Sequence, residues 1–191
     1  MKITILLPLA ACCLLNSAFA FDAAKNKAKN ALPFEPKVQE FKLPAAIDEN
    51  GVIDESKLGD SPYAKAVIYG SKLMNETTRY LGLQAKDEKK RFAGNNLSCS
   101  SCHASGGVVQ TQSSFVGITA RFPQYNSRGD RVITLQDRIN GCFMRSMSGK
   151  PIPTNSDEMR AMLAYMHYLS VGYEVGSKVK GTVVKPEFID R

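Results

Sequence analysis

No run of eighteen or more apolar residues occurs in this chain of 191, so no segment reads as a transmembrane helix. Histidine is scarce, with only two residues, His103 and His167, so any metal site has few imidazoles to draw on. No dense Lys/Arg block marks a membrane-surface segment. There is no internal repeat and no strand–helix alternation, which argues against a parallel α/β fold. Cysteine is limited to five residues, and two of these, Cys12 and Cys13, sit in the first twenty.

Those first twenty residues read as an export signal. Lys2 provides a positive start, "ITILLPLAACCLL" an apolar region, and Ala18-Phe19-Ala20 the small-x-small pattern cleaved by signal peptidase. Cleavage is expected after Ala20, which places the mature protein in the periplasm. Leu9-Ala10-Ala11-Cys12 is the competing pattern, a lipoprotein box with Cys12 lipidated, but the apolar region before it is very short. Residues 1–20 are therefore a signal peptide. Residues 21–59, with Pro33, Pro36 and Pro44, form an extended N-terminal arm, and residues 60–191 a domain with a C-terminal tail.

Hydrophobic residues make up 43% of the chain, enough for a packed core. Basic residues exceed acidic ones by 25 to 18, and removal of the signal takes away only Lys2. Such a balance attracts anions, but export argues against nucleic acid as a partner.

Helical periodicity dominates the domain. "SPYAKAVIYGSKLMNETTRYLG" begins with Ser61 as N-cap and Pro62 at the first helical position, and ends at Gly82. "GITARFPQYNSRG" reads as an irregular loop. Thr134 and Asp137 form a capping-box-like start for a helix through "LQDRINGCFMRSM", with Leu135, Ile139, Cys142, Phe143 and Ser146/Met147 on one face. A last helix, "DEMRAMLAYMHYLS", turns Met159, Met162, Leu163, Met166 and Leu169 inward. The resulting expectation is an all-α fold with long loops.

The chemistry concentrates in "NLSCSSCHASGG". Cys99 and Cys102 stand at i and i+3, so their sulfurs point the same way on a helical turn and can reach the two vinyl groups of one haem. His103 follows directly and can donate a nitrogen to iron from below. Zinc would need four ligands, and the third cysteine, Cys142, lies far along the chain. A thioredoxin-like pair belongs in an alternating α/β fold. A plain Cys99–Cys102 disulfide would leave the mature chain with one odd cysteine. Motif and export together favour one covalently bound haem c.

The second axial donor stays open on chemistry alone. Met144, Met147, Met159, Met162 and Met166 are candidates, although methionine on an inward helical face is usually core filler. His167 lies on a helix edge. Cys142 is either a buried thiol or a thiolate ligand, which would lower the potential relative to methionine.

"NLSCSSCH", "FVGITARFPQYNSR", "VITLQDRINGCFMRSMSGKPIP" and "EMRAMLAYMHYLS" together resemble the catalytic haem domain of periplasmic thiosulfate dehydrogenases, and through it the A subunit of the Sox sulfur-oxidising cytochrome. The resemblance implies a class I cytochrome c-like domain with His/Cys ligation, His103 on one face of the iron and Cys142 on the other. It also implies a sulfur-oxyanion pocket around Arg138, Ser146 and Arg128, with the roles of Arg121 and Arg145 open. Those dehydrogenases carry a second haem domain, whereas this sequence has a single Cys-x-x-Cys-His. A separate redox cytochrome is the expected partner. Three functions follow: an electron carrier in thiosulfate/tetrathionate-type metabolism, a catalytic haem subunit working with a separate cytochrome, or a haem-based sensor.

Overall fold

The computed structural model describes residues 34–182; the segment read as a signal peptide, with Cys12 and Cys13, lies outside them. Two helices form the centre. The first, Pro62–Asn75, starts as the sequence suggests: the Ser61 hydroxyl accepts the Ala64 N–H at 3.1 Å and Pro62 occupies the first turn, where no amide hydrogen is needed. The second, Asp157–Tyr168, is capped by Ser156, whose hydroxyl accepts the Met159 N–H at 3.2 Å. Val67, Leu73 and Met74 on one helix and Met159, Met162, Tyr165 and Met166 on the other are almost wholly buried, each contributing about 1.5–3 kcal/mol by leaving water.

Gly70 lets the two backbones meet. A β-carbon there would lie 2.1 Å from the Ala161 carbonyl oxygen and 2.7 Å from Tyr165 Cβ. Gly70→Val is expected to force the helices apart and destabilise the fold by about 3 kcal/mol or more, seen as a lower midpoint in thermal unfolding.

Numbered in chain order, the helices are α1 (Glu55–Leu58), α2 (Pro62–Asn75), α3 (Thr77–Leu81), α4 (Leu135–Gly141) and α5 (Asp157–Tyr168); the turn Ala104–Gly107, with positive φ at Ser105 and Gly106, is left unnumbered. The single helix expected from Ser61 to Gly82 is broken between α2 and α3 at Glu76, with φ −122° and ψ 42°. Side chains take up carbonyls at the break. Thr77 Oγ1 donates to Leu73 O at 2.8 Å, and Ser100 Oγ donates to Met74 O at 2.9 Å. Such back-bonding bends helices, and here it attaches α2 to the Cys99 segment.

Four short strands modify the expected all-α content: β1 (Val38–Gln39), β2 (Gln124–Asn126), β3 (Arg131–Ile133) and β4 (Lys178–Val179). β2 and β3 pair antiparallel, with Tyr125 opposite Val132. The stretch expected to be an irregular loop therefore contains a 3₁₀ turn, Ile118–Arg121, and one strand of a hairpin. β1 pairs parallel with β4, so the start of the described chain lies against its end. Residues 34–59 include this strand, an Ile47–Ile53 bridge and α1, and Ile47 joins the core.

Glu158, buried at the start of α5, binds Lys90 Nζ at 2.6 Å. Burial works to raise its carboxyl, but the Lys90 ammonium and the local backbone N–H outweigh it and hold the pKa below the ordinary 4.5. A depressed folded-state pKa stabilises above the unfolded value, and that contribution is lost as pH falls through the folded one. Thermal midpoints measured against pH should fall below about pH 4.5, and Glu158→Gln should flatten that acid limb while lowering the midpoint at neutral pH.

Candidate haem site

Cys99–Ser101 forms one 3₁₀ turn. It is closed reciprocally by Ser98 and Ser101, with the Ser98 N–H donating to Ser101 Oγ at 3.1 Å. The Cys99 N–H donates to Thr77 Oγ1 at 3.0 Å, so the helix break at Glu76 anchors the motif. Cys99 is half-buried and Cys102 is exposed, and neither these two nor Cys142 is in a disulfide. Burial pushes the Cys99 thiol up to about 11, against a lowering contact from Thr77, and nearby Cys142 and Cys102 raise it further. Cys142 therefore lies within electrostatic reach of the motif.

His103 is held on two sides. Its Nδ1 lies 2.6 Å from the Ser113 carbonyl oxygen, a contact that requires the proton on Nδ1 and leaves Nε2 with its lone pair. Its ring stacks on Phe115 at 4.2 Å. Burial lowers its pKa, the Ser113 carbonyl opposes this, and the Arg138 charge lowers it again; each lowering favours the neutral, ligating form. The Gly106–Gly107 pair does more than end the motif. Both residues have positive φ, and a β-carbon on Gly107 would sit 2.2 Å from the Phe115 ring, so only glycine admits the ring that stacks on His103.

α4 begins with the capping box read from the sequence: Thr134 Oγ1 accepts the Asp137 N–H at 3.2 Å and the Thr134 N–H donates to Asp137 Oδ2 at 2.9 Å. Beyond Gly141 the helix widens into a π turn, Cys142–Ser146, in which the Met147 N–H reaches Cys142 O at 3.0 Å. Single π turns recur at functional sites because they re-aim side chains, and this one starts at Cys142. Arg138, one α-turn earlier, donates from Nη1 to Cys142 Sγ at 3.1 Å.

The other axial candidates are placed differently. Met147, Met159, Met162 and Met166 belong to the buried core cluster. Met144 is 49% exposed. His167 is exposed and its Nδ1 pairs with the Tyr63 hydroxyl at 2.8 Å.

A polar cleft of about 370 Å³ opens beside the π turn, lined by Tyr125, Asn126, Ser127, Arg128, Arg138, Gly141, Arg145 and Ser146. Arg138, Ser146 and Arg128, separate in the sequence, share it. The α4–π continuation supplies Arg138, Arg145 and Ser146; the β2–β3 turn, closed by the Tyr125 hydroxyl donating to Asp130, supplies Arg128. Among the described residues no carboxylate lines the cleft, whereas three arginines do. Arg145, whose Nε donates to Gly141 O at 3.3 Å, folds over Gly141, where a β-carbon would meet Arg145 Nη2 at 3.0 Å. Arg121 lies outside the cleft, half-buried, and burial lowers its pKa.

The donor set fits haem c: two thiols from one turn, a neutral imidazole with its outer nitrogen already engaged, and a sulfur within electrostatic reach of them. Among the described residues no group of three or more His, Cys, Asp or Glu is placed to hold a metal ion, so the zinc alternative lacks its ligands.

Residues 84–175 match the family described as SoxA/TsdA, cytochrome c domain. This part of the chain belongs to the SoxA/TsdA cytochrome c family. The matched segment contains the Cys99–His103 motif, Cys142 and every residue of the cleft, whereas α1, α2, α3, β1 and β4 lie outside it. Thiosulfate dehydrogenase of Psychrobacter arcticus is 36% identical over 129 residues, covering 68% of this chain and 37% of its own. Thiosulfate dehydrogenase of Allochromatium vinosum is 35% identical over 151 residues, covering 77% and 50%. The chain thus spans half or less of the length of these relatives. Thiosulfate dehydrogenase (TsdBA) from Marichromatium purpuratum shares the fold, with a TM-score of 0.60 at 24% identity, over 72% of this chain and 27% of that one.

Within this SoxA/TsdA domain, Arg145, Gly141, Tyr125 and Asn126 are cleft residues that the pattern of the sequence did not single out as such. Gly141 sits next to Cys142 with ordinary helical φ and ψ, and what lies over it is the flexible end of Arg145, a contact no local signal reports. Among the described residues no helix is long and apolar enough to cross a membrane.

Proposed function

We propose that this chain is a periplasmic c-type cytochrome that carries one covalent haem and acts as the catalytic haem subunit of thiosulfate/tetrathionate interconversion, exchanging electrons with a separate cytochrome. The observation carrying this reading is the Arg138 contact to Cys142 Sγ at 3.1 Å, on the wall of a cleft that holds three arginines and no carboxylate.

On this reading Cys99 and Cys102 would attach the haem, and His103 Nε2 and Cys142 Sγ would be the protein donors to its iron. When bound, the haem supplies a one-electron acceptor beside the cleft. The chain itself has an electrostatic task. Two thiosulfate dianions about 4 Å apart repel by ~4 kcal/mol even at the dielectric constant of water. Arg128, Arg138 and Arg145 offset this repulsion with charges that persist at neutral pH, and a guanidinium fork matches two oxyanion oxygens at once. The Ser146 hydroxyl adds a neutral donor. Held this way, two thiosulfates form one S–S bond to give tetrathionate and release two electrons, one to each of two oxidised c-type cytochromes; the reverse consumes two. No proton is required.

The test uses the haem-loaded protein with thiosulfate and an excess of an oxidised small c-type cytochrome. Tetrathionate formed at half the number of electrons delivered is the expected result. Absence of turnover in both directions, together with rapid electron exchange with the same cytochrome, would leave an electron carrier.

A further inference from the structure

The described ends of the chain meet beside the loop that holds His103. β1 and β4 pair through the Lys178 N–H donating to Lys37 O and the Lys180 N–H to Gln39 O, each at 2.9 Å. The Tyr173 hydroxyl donates at 3.1 Å to Glu40 O and accepts the Lys42 N–H at 2.8 Å. Exposed Lys180–Glu40 pairing at 3.0 Å adds little; the main-chain bonds and buried Val179 hold the two ends together.

This clasp touches the residue 107–117 loop at two points. Gln110 Nε2 donates to Lys180 O at 2.8 Å. Gly117, at φ +71°, lies so close beneath Val179 that a β-carbon there would be 2.3 Å from Val179 Cγ2. Between these points stand Ser113, whose carbonyl accepts from His103, and Phe115, whose ring stacks on it. On the other flank Gly51, from the N-terminal segment, leaves room for the Ser105 carbonyl two residues after His103, only 2.2 Å from where its β-carbon would be. The loop's inner end is closed independently, by the Phe115 N–H to Gly107 O at 2.8 Å.

We propose that the β1–β4 clasp is a positioning device for His103: Val179 and Gln110, although far from the iron ligands in sequence, set how firmly the Ser113 carbonyl holds the imidazole. This rests on the proposed His103 ligation. An Nδ1–H bond to a carbonyl makes the imidazole a stronger donor and favours ferric iron. A loosened clasp weakens that bond and favours the ferrous state, so the potential rises.

The experiment compares the haem-loaded wild-type chain with a Val179→Ala/Gln110→Ala variant. The readouts are the reduction potential and the iron-shifted NMR signals of the His103 ring protons in the ferric protein. Retained covalent haem, a more positive potential and displaced His103 signals are expected. Glu158→Gln is the control, since it weakens the start of α5 and should lower the melting temperature without moving the potential. If the double variant melts earlier while its potential and ring signals match wild type, the clasp is only structural and the proposal fails. If the double variant does not fold, Gln110→Ala alone decides in the same way, because it removes one exposed side-chain contact. Absence of iron-shifted His103 signals in the wild-type protein would overturn the ligation itself, an outcome distinct from unmoved signals in the variant.

Discussion

Cys142→Met is expected to leave the haem attached through Cys99 and Cys102 and to raise its reduction potential by on the order of a few hundred millivolts. A thiolate carries a full negative charge to the iron and stabilises the ferric state, whereas a thioether is neutral. The π turn Cys142–Ser146 directs the residue at position 142, and Arg138 Nη1 stands 3.1 Å from its sulfur, so methionine would enter a place already shaped for a sulfur donor. Potentiometric titration of both proteins checks this. An unchanged potential and absorption spectrum would reject Cys142 as the ligand and return the question to the methionines. Thiosulfate turnover should also drop in the variant.

Arg138→Lys is expected to reduce kcat/KM for thiosulfate by about 100-fold, equivalent to ~3 kcal/mol of transition-state stabilisation. The substitution preserves the charge but loses the planar fork. Arg138 lines the cleft and also donates to Cys142, so both the anion and the cysteine lose a fixed partner. Without that donor the sulfur becomes more electron-rich, and the potential should fall, opposite in sign to Cys142→Met. Steady-state kinetics and potentiometry on one preparation separate the two effects. Normal turnover with a lowered potential would confine Arg138 to tuning the sulfur; normal values of both would remove it from the site.

Local signals in the sequence were accurate where the cause is local. Ser61 and the Thr134–Asp137 pair cap the helices they announce, because a cap satisfies amides within three residues of itself. The inward methionines of α5 are buried for the same periodic reason. The helix expected through Gly82 failed at Glu76, because the neighbouring Thr77 bonds back to Leu73 O while Ser100, from a distant part of the chain, takes the Met74 carbonyl of its last turn. The β2–β3 hairpin was missed because its strands have three residues each, too few for an alternating pattern to register.

The sequence by itself determined the spacing of Cys99, Cys102 and His103, the helical core of α2 and α5, and the family block around Cys142. These depend on order and periodicity, which a linear chain carries. Only the tertiary structure decided that Arg128, on the β2–β3 turn, joins Arg138, Arg145 and Ser146 in one cleft, and that Ser113 and Phe115 hold His103. Those relations cross between elements, and glycines at 70, 107 and 117 hold facing parts of the chain close through the space a missing β-carbon leaves. That space has no signature in a sequence until the neighbouring backbone or side chain is in place.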